Sequence, residues 1–159
     1  MTAICGIIVL AHMVAKKGIK NPAASNICIT TSSGTGSEIN IAAIISRDDL
    51  NEKTLFADYS IYPYLSIVDS DLTLSVPPKY TAYQGMDVFF HTSETIVNKN
   101  CHPMAEMFAL KAIELIAKYL LPIAYKDGSN KEARSYVSLA NTLACYYVMS
   151  TSHTIWNTL

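Results

Sequence analysis

Charged residues are scarce in this sequence, and positive charge is not concentrated anywhere along it. Asp, Glu, Lys and Arg make up 16% of the 159 residues, whereas about a quarter is usual for a soluble domain. The formal net charge is -1, so the clustered Lys and Arg that nucleic-acid binding requires are missing. Half of the residues are apolar, which excludes a disordered chain. We expect a packed, soluble protein whose remaining apolar surface is covered by further sequence or by another copy in a homo-oligomer.

The sequence also lacks a CxxC pair. Its four cysteines, Cys5, Cys28, Cys101 and Cys145, are far apart along the chain. Without a closely spaced pair, we expect reduced thiols, as in a cytoplasmic protein.

No apolar run is long enough to cross a membrane. The run at residues 3–15 has no basic segment before it and is followed by Lys16 and Lys17. We expect a buried helix at residues 2–17, stopped by Gly18 and Pro22, rather than a signal peptide. Neither a membrane nor a nucleic acid is therefore an expected partner.

Two kinds of hydrophobic pattern divide the chain. Short apolar runs separated by polar turns predict strands at residues 26–31, 39–46 and 64–68. From Pro77 and Pro78 onwards the pattern becomes helical, and proline suits the first turn of a helix. We predict helices at residues 79–98 and 104–120, and a third that begins after residue 129. The chain is thus α/β over residues 1–72 and all-α over residues 73–159.

Local pairs are expected within these helices. Ser129 and Glu132 have the spacing of a capping box, in which each side chain bonds the other residue's backbone N–H. Glu114 and Lys118 are four residues apart and are expected to form an ion pair on the exposed face of the second helix.

The first predicted helix carries a carboxylate and an imidazole one turn apart. Asp87 and His91 are at positions i and i+4, which project from the same face. Both could reach one divalent cation, which lies about 2 Å from each donor atom in protein sites. Glu94, one turn further, could orient the imidazole, and Gly85 allows another segment to approach closely. The same spacing is also typical of a purely structural Asp–His pair.

A loop of small residues, TTSSGTGSE, occupies residues 30–38 after the first predicted strand. Backbone N–H and hydroxyl groups in such a loop can receive an oxyanion or a cofactor ring. It is neither a Rossmann GxGxxG nor a Walker A loop, because the spacing is wrong and no lysine follows the second glycine. On composition alone, a flexible turn rich in serine and glycine is the favoured interpretation.

The order of the motifs is more informative than either motif alone. TTSSGTGSE is followed by Lys53, then by SIVDSDLTLSVPPKYTAYQGMDVFFHTSE, and later by SLANTLA. From about residue 27 onwards this string resembles the iron-containing (group III) alcohol dehydrogenases. Their pattern combines a PTTxGTGSE loop, DPxLTxSLPP, a GMDAxxHxxE helix and a LANTLAG-type helix. The chain looks like an interior fragment of such an enzyme.

The resemblance implies a fold and a chemistry. The fold is an incomplete dehydroquinate synthase-like one, in which an α/β remnant is followed by an all-α helical domain. Residues 1–72 would be the C-terminal part of the nucleotide-binding domain, and residues 73–159 the N-terminal part of the metal-binding domain. In the family, one Asp and three His hold a divalent metal, usually iron. The metal polarises the oxygen of a small alcohol or aldehyde while hydride moves to or from a nicotinamide.

The resemblance also implies site residues. The ligands of an Fe2+ or Zn2+ ion would include Asp87 and His91. NAD or NADP would lie against the TTxGT segment and a lysine further on. The residues carried over for the cofactor are Thr31, Ser32, Gly34, Thr35 and Lys53.

The sequence departs from the family in ways that bear on activity. It contains no GGGS phosphate loop. Asn157 stands near the position expected for a third, histidine ligand, and an amide is a weak metal ligand. His153 is one helical turn early, His12 and His102 lie outside every motif, and the last ligand would lie beyond Leu159. We therefore expect the chain on its own to be inactive.

Two other functions would keep these residues. A glycerol dehydrogenase-like or dehydroquinate synthase-like enzyme would share the fold, although GTGSE followed by GMDxxxH favours the alcohol dehydrogenase branch. A non-catalytic remnant or helical binding module would keep the fold without the reaction, as the missing GGGS and Asn157 suggest. Flanking sequence with GGGS upstream and two histidines downstream would favour the enzyme.

Overall fold

Two pairs of strands precede three long helices. The computed structural model describes residues 24–47, 51–99 and 101–151. The strands are β1 (Ile27–Ile29), β2 (Ala42–Arg47), β3 (Glu52–Ala57) and β4 (Leu65–Ile67), and the helices are α1 (Pro78–Val97), α2 (Pro103–Tyr119) and α3 (Lys131–Thr151). The predicted order, an α/β segment followed by an all-α segment, is confirmed. The helix predicted at residues 2–17 lies outside the described residues.

The strands form two separate two-stranded sheets. β1 and β4 are parallel, with Ile27 opposite Leu65, while β2 and β3 form an antiparallel hairpin. The hairpin turn ends at Asn51, whose φ of 51° is one that asparagine tolerates. β2 begins at Ala42, later than predicted, because Ser37–Ile39 form a 3₁₀ turn. β3 was not predicted, since its first residues are polar and its pairing with β2 defines it.

The first two helices begin at prolines. Pro78 is the first residue of α1, and Pro103 is the first residue of α2. His102 caps α2, because its Nδ1 accepts the backbone N–H of Met104 at 3.2 Å. This gives His102 a structural role. On the surface of α2, Glu114 pairs with Lys111 at 2.9 Å, so the ion pair predicted with Lys118 is not the one observed.

The third helix is capped by a residue other than the one predicted. Asn130 Oδ1 accepts the backbone N–H of Ala133 at 2.9 Å. The capping box of Ser129 and Glu132 was therefore wrong, and Ser129 Oγ instead donates to Asp127 Oδ1 at 2.6 Å. Asparagine and serine cap equally well, so proximity to the first helical residue decided between neighbouring candidates.

The core lies between the three helices and is rich in alanine, which lets helices approach closely. Its members include Val88, Ala112, Leu115, Ile116, Leu120, Val137, Ala140 and Ala144. Gly85 in α1 faces Leu120, and a Cβ at Gly85 would lie 2.4 Å from a methyl group of that leucine. Leu120–Ala124 form a π-helical turn that extends α2 past its predicted end. Within the described residues, no helix is long and apolar enough to span a membrane.

Candidate functional site

The loop after β1 lies against the helices. Its residues fall into a buried set and an exposed set. The buried set is Ser33, Gly34, Gly36 and Glu38, and the exposed set is Thr31, Ser32, Thr35 and Ser37. Three of the four loop residues predicted to contact a cofactor are therefore open to a ligand. The fourth, Gly34, is buried against α1.

Two polar residues of α3 hold the buried side of the loop. Ser138 Oγ lies 2.8 Å from Ser33 Oγ, and both hydroxyls are buried. One turn further along α3, Asn141 Nδ2 donates to Glu38 Oε1 at 3.1 Å. Buried polar groups are stable when they find such partners, so these bonds fix the loop against the helix.

A third contact lies another turn along the same face of α3. Gly36 has a φ of 56°, in the left-handed region that glycine adopts without strain. A Cβ at Gly36 would lie 2.1 Å from both Cβ and Sγ of Cys145. The loop backbone thus lies directly on the Cys145 side chain, which explains why glycine is needed there.

Gln84 joins the loop to α1. Its Oε1 accepts the backbone N–H of Ser33 at 3.4 Å, and a Cβ at Gly34 would lie 3.0 Å from the Gln84 Cβ. The loop therefore lies between α1 and α3. Sequence analysis did not find Gln84. The feature of the sequence that could have identified Gln84 is a polar side chain three residues before Asp87 in an otherwise well-packed helix.

Burial controls the charge of the acidic groups beneath the loop. Burial raises the pKa of Glu38 above its usual value, and a hydrogen bond that its carboxylate accepts from its own backbone N–H partly opposes this shift. Burial, together with the nearby carboxylates of Glu38 and Asp87, raises the pKa of Cys145 to about 12. The Cys145 thiol therefore stays protonated at neutral pH and packs as a small apolar group rather than acting as a nucleophile.

The raised pKa of Glu38 predicts a pH effect on stability. A carboxyl whose pKa is higher in the folded state contributes stability below its unfolded pKa, and this contribution is lost as pH rises through its folded pKa. We expect Glu38→Gln to raise the free energy of unfolding at pH 8, and the gain to vanish below the ordinary glutamate pKa. Urea unfolding of both proteins across this pH range measures the difference. An equal gain at every pH would contradict this explanation.

Asp87 and His91 lie on one face of α1, as predicted. Asp87 Oδ1 and His91 Nε2 are 3.7 Å apart, and the two side chains are 46% and 30% exposed. Two donors about 2.1 Å from one tetrahedral ion would be roughly 3.4 Å apart, so the pair fits a shared cation with little movement. Asp87 borders an open groove of about 380 Å³ that is also lined by Tyr83, Gln84, Met86 and Phe90.

Other predicted site residues are not gathered at this pair. Glu94 is exposed and makes no hydrogen bond to His91 within the described residues, so its predicted orienting role was wrong. The hydrogen bond from Thr95 Oγ1 to His91, at 2.9 Å, is to the backbone carbonyl and not to the imidazole. Lys53 is exposed in the hairpin, opposite Ser46, and not in the loop. The described residues contain no group of three or more His, Cys, Asp or Glu side chains that could hold a metal.

The fold and the arrangement of the site indicate the class of protein to which this chain belongs. An α/β segment is followed by a helical bundle, and a glycine-rich loop lies between the first and third helices. This is the dehydroquinate synthase-like fold, present in part. The sequence model of the iron-containing alcohol dehydrogenases matches residues 3–70, and the model of the C-terminal region of that family matches residues 81–158. The chain belongs to the iron-containing alcohol dehydrogenase family.

Individual relatives agree with this assignment. The chain is 38% identical over 119 residues to an aldehyde-alcohol dehydrogenase of Clostridium acetobutylicum, covering 74% of this chain and 14% of that protein. It is 38% identical over 118 residues to a 1-propanol dehydrogenase of Salmonella typhimurium, covering 74% and 32%. The structure of sulfoacetaldehyde reductase from Bifidobacterium kashiwanohense in complex with NAD+ superposes with a TM-score of 0.74 at 34% identity, covering 80% and 35%. The chain thus spans about a third or less of each.

Proposed function

We propose that this chain carries part of the active site of a metal-dependent alcohol dehydrogenase, which transfers hydride between a small alcohol or aldehyde and NAD or NADP. The strongest support is the position of Gln84. Its side chain lines the groove beside Asp87 and also contacts Ser33 and Gly34 of the loop. A loop suited to a nicotinamide and a pair suited to a cation therefore border one region. Hydride transfer needs the two reactants held together in this way.

Asp87 and His91 are the proposed protein ligands of an Fe2+ or Zn2+ ion. When bound, the metal would supply Lewis acidity to the substrate oxygen. The Asp87 carboxylate offsets part of the charge of a divalent ion, and the His91 imidazole adds a nitrogen donor. Sites of this kind usually take three or four protein ligands, so two give weak binding. We do not assign Asn157, which lies outside the described residues, as a ligand.

The exposed side of the loop is the proposed cofactor contact. Thr31, Ser32 and Thr35 present hydroxyl groups, and Gly34 leaves the backbone uncrowded, which suits the nicotinamide end of NAD or NADP. Lys53 is the proposed cationic partner further out on the cofactor. The related sulfoacetaldehyde reductase was solved with NAD+, which supports a nicotinamide. Residues 1–72 would then belong to the nucleotide-binding domain and residues 73–159 to the metal-binding domain of a cytoplasmic enzyme.

The metal assignment predicts a loss of binding in one variant. Asp87→Ala removes the only proposed anionic ligand, so Zn2+ or Fe2+ affinity should fall about tenfold or more, equivalent to about 1.4 kcal/mol. Calorimetric titration with Zn2+, and with Fe2+ under anaerobic conditions, measures it. Glu94→Ala is the matched control, because it removes an exposed carboxylate from the same helix and should leave affinity unchanged. Tight binding that survives Asp87→Ala would refute the assignment.

The 159-residue chain alone is expected to show no alcohol oxidation. Catalysis requires a bound dinucleotide, a polarising metal and an aligned substrate, and misalignment alone can forfeit about 7–11 kcal/mol of organisation. The sequence has no GGGS phosphate loop and has Asn157 near an expected ligand position. Absorbance at 340 nm with NAD or NADP, added Fe2+ or Zn2+, and ethanol, butanol or propanediol tests this. Metal-dependent turnover would contradict the expectation, whereas absence of both metal and nucleotide binding would favour a non-catalytic helical module.

A further inference from the structure

Asn141 occupies an unusual environment for an amide. It is buried near the middle of α3, and both ends of its side chain have partners. Nδ2 donates to Glu38 Oε1 at 3.1 Å, and Oδ1 lies 3.9 Å from Cys145 Sγ, which can donate to it weakly. Because a buried amide is costly without partners at both ends, these two contacts fix its orientation. Its donor end therefore points at the loop.

Glu38, the loop partner of Asn141, is held from the strands as well. Its backbone carbonyl accepts a hydrogen bond from Ser66 Oγ in β4. Glu38 is the middle residue of the 3₁₀ turn Ser37–Ile39, which ends the loop, and the following Ile39 enters the core. Glu38 is thus the residue at which a bond from the helices and a bond from the strands meet.

The exposed part of the loop is short enough for Glu38 to set its shape. Between the end of β1 at Ile29 and Glu38, the chain must place Ser33 and Gly36 on α3 and still present Thr35 outwards. With Glu38 fixed, Gly36 is held in its left-handed conformation against Cys145. A loop that is already ordered loses less conformational entropy when it binds a ligand.

We propose that Asn141 is a positioning residue that, through Glu38, holds the loop in the conformation that receives the nicotinamide ring. The holding of the loop rests on the contacts above. The identity of the ligand rests on the function proposed for the loop. Asn141 itself touches no ligand.

Reversal of the hydrogen bond tests this role. Asn141→Asp replaces the amide donor with a second carboxyl, so the bond is lost at a pH at which both carboxyls are ionised. Adding Glu38→Gln restores it with donor and acceptor exchanged. Asn130→Asp is the matched control, because it makes the same chemical change in the same helix at a cap where aspartate works equally well. Glu38→Ala removes the bond from the loop side, in case Asn141→Asp does not fold.

Two readouts separate positioning from general stability. Hydrogen exchange of the backbone amides of residues 33–38 should become about tenfold faster in Asn141→Asp or Glu38→Ala, as expected for loss of one bond to a charged group. Amides of α1 and α2 should be unaffected. NADH affinity, measured by the fluorescence of NADH, should weaken by a similar factor. The double variant should restore both, and Asn130→Asp should change neither.

Each possible result either supports the positioning role of Asn141 or overturns it. Faster exchange spread over all three helices, or no recovery in the double variant, would make Asn141 merely structural and overturn the proposal. Unchanged loop exchange in Asn141→Asp and Glu38→Ala would also overturn it. If the parent chain does not bind NADH but loop exchange responds as described, the holding of the loop stands while the cofactor role of the loop fails.

Discussion

Gly36→Ala should destabilise the chain by about 2–5 kcal/mol. The added Cβ would lie 2.1 Å from Cys145 Cβ and Sγ, so the loop must move away from α3 or the helix must shift. Overpacking of this kind costs about 1–3 kcal/mol. The φ of 56° adds a further cost of about 1–2 kcal/mol, because alanine does not favour the left-handed region. Urea unfolding followed by circular dichroism measures the change.

Two further variants separate the packing cost from the backbone cost. Cys145→Gly removes the atoms that the new Cβ would meet, so in the Gly36→Ala background it should relieve the packing part of the loss and leave the backbone part. Ser37→Ala changes an exposed residue of the same loop and should stay within about 0.5 kcal/mol of the parent. An unfolding midpoint for Gly36→Ala equal to that of the parent chain would show that the loop does not lie on Cys145.

Features fixed by local chemistry were predicted well from the sequence. Pro77 and Pro78 located the start of α1, because proline is tolerated only in the first turn of a helix. The spacing of Asp87 and His91 located them on one face of that helix. Features fixed by partners distant in sequence were not predicted. β3 is a strand because it pairs with β2, and no pattern within its own residues required this.

The candidate site shows the same division. Sequence motifs located the loop and the Asp–His pair, each from residues a few positions apart. The link between them was not predicted, because Ser33 meets Gln84 and Ser138 across separations of 51 and 105 residues. Asn141 belongs to the SLANTLA motif, which served as evidence of family but had no assigned role. The contact with Glu38 gives it one.

Loss of Arg134 should damage the helical part strongly. It is buried in the first turn of α3, at 2% exposure, and burial lowers the pKa of its guanidinium. Its partners are neutral acceptors from three segments. Nη2 donates to the Val76 carbonyl at 2.6 Å, Nε donates to the Gly128 carbonyl at 3.0 Å, and Nη1 donates to Thr81 Oγ1. The guanidinium therefore ties the turn before α1, the start of α1 and the loop before α3 together.

Arg134→Met should lower the free energy of unfolding by about 3 kcal/mol or more. Methionine fills the space of the apolar stem, so the loss comes mainly from Val76, Thr81 and Gly128, whose oxygens lose their donor. A buried polar group without a partner costs about 1–3 kcal/mol. Arg134→Lys should fall between Arg134→Met and the parent, because an ammonium cannot match the spread of the guanidinium donors.

Lys131→Met is the matched control for this prediction. Lys131 also lies in the first turn of α3, but its ion pair with Asp71 at 2.7 Å is exposed. Exposed pairs contribute little, because water screens them and two long side chains must be ordered to form them. Urea unfolding should therefore show a large loss for Arg134→Met and little change for Lys131→Met. Similar losses in both would mean that removal of positive charge near the start of α3, rather than loss of the three buried acceptors' donor, explains the effect.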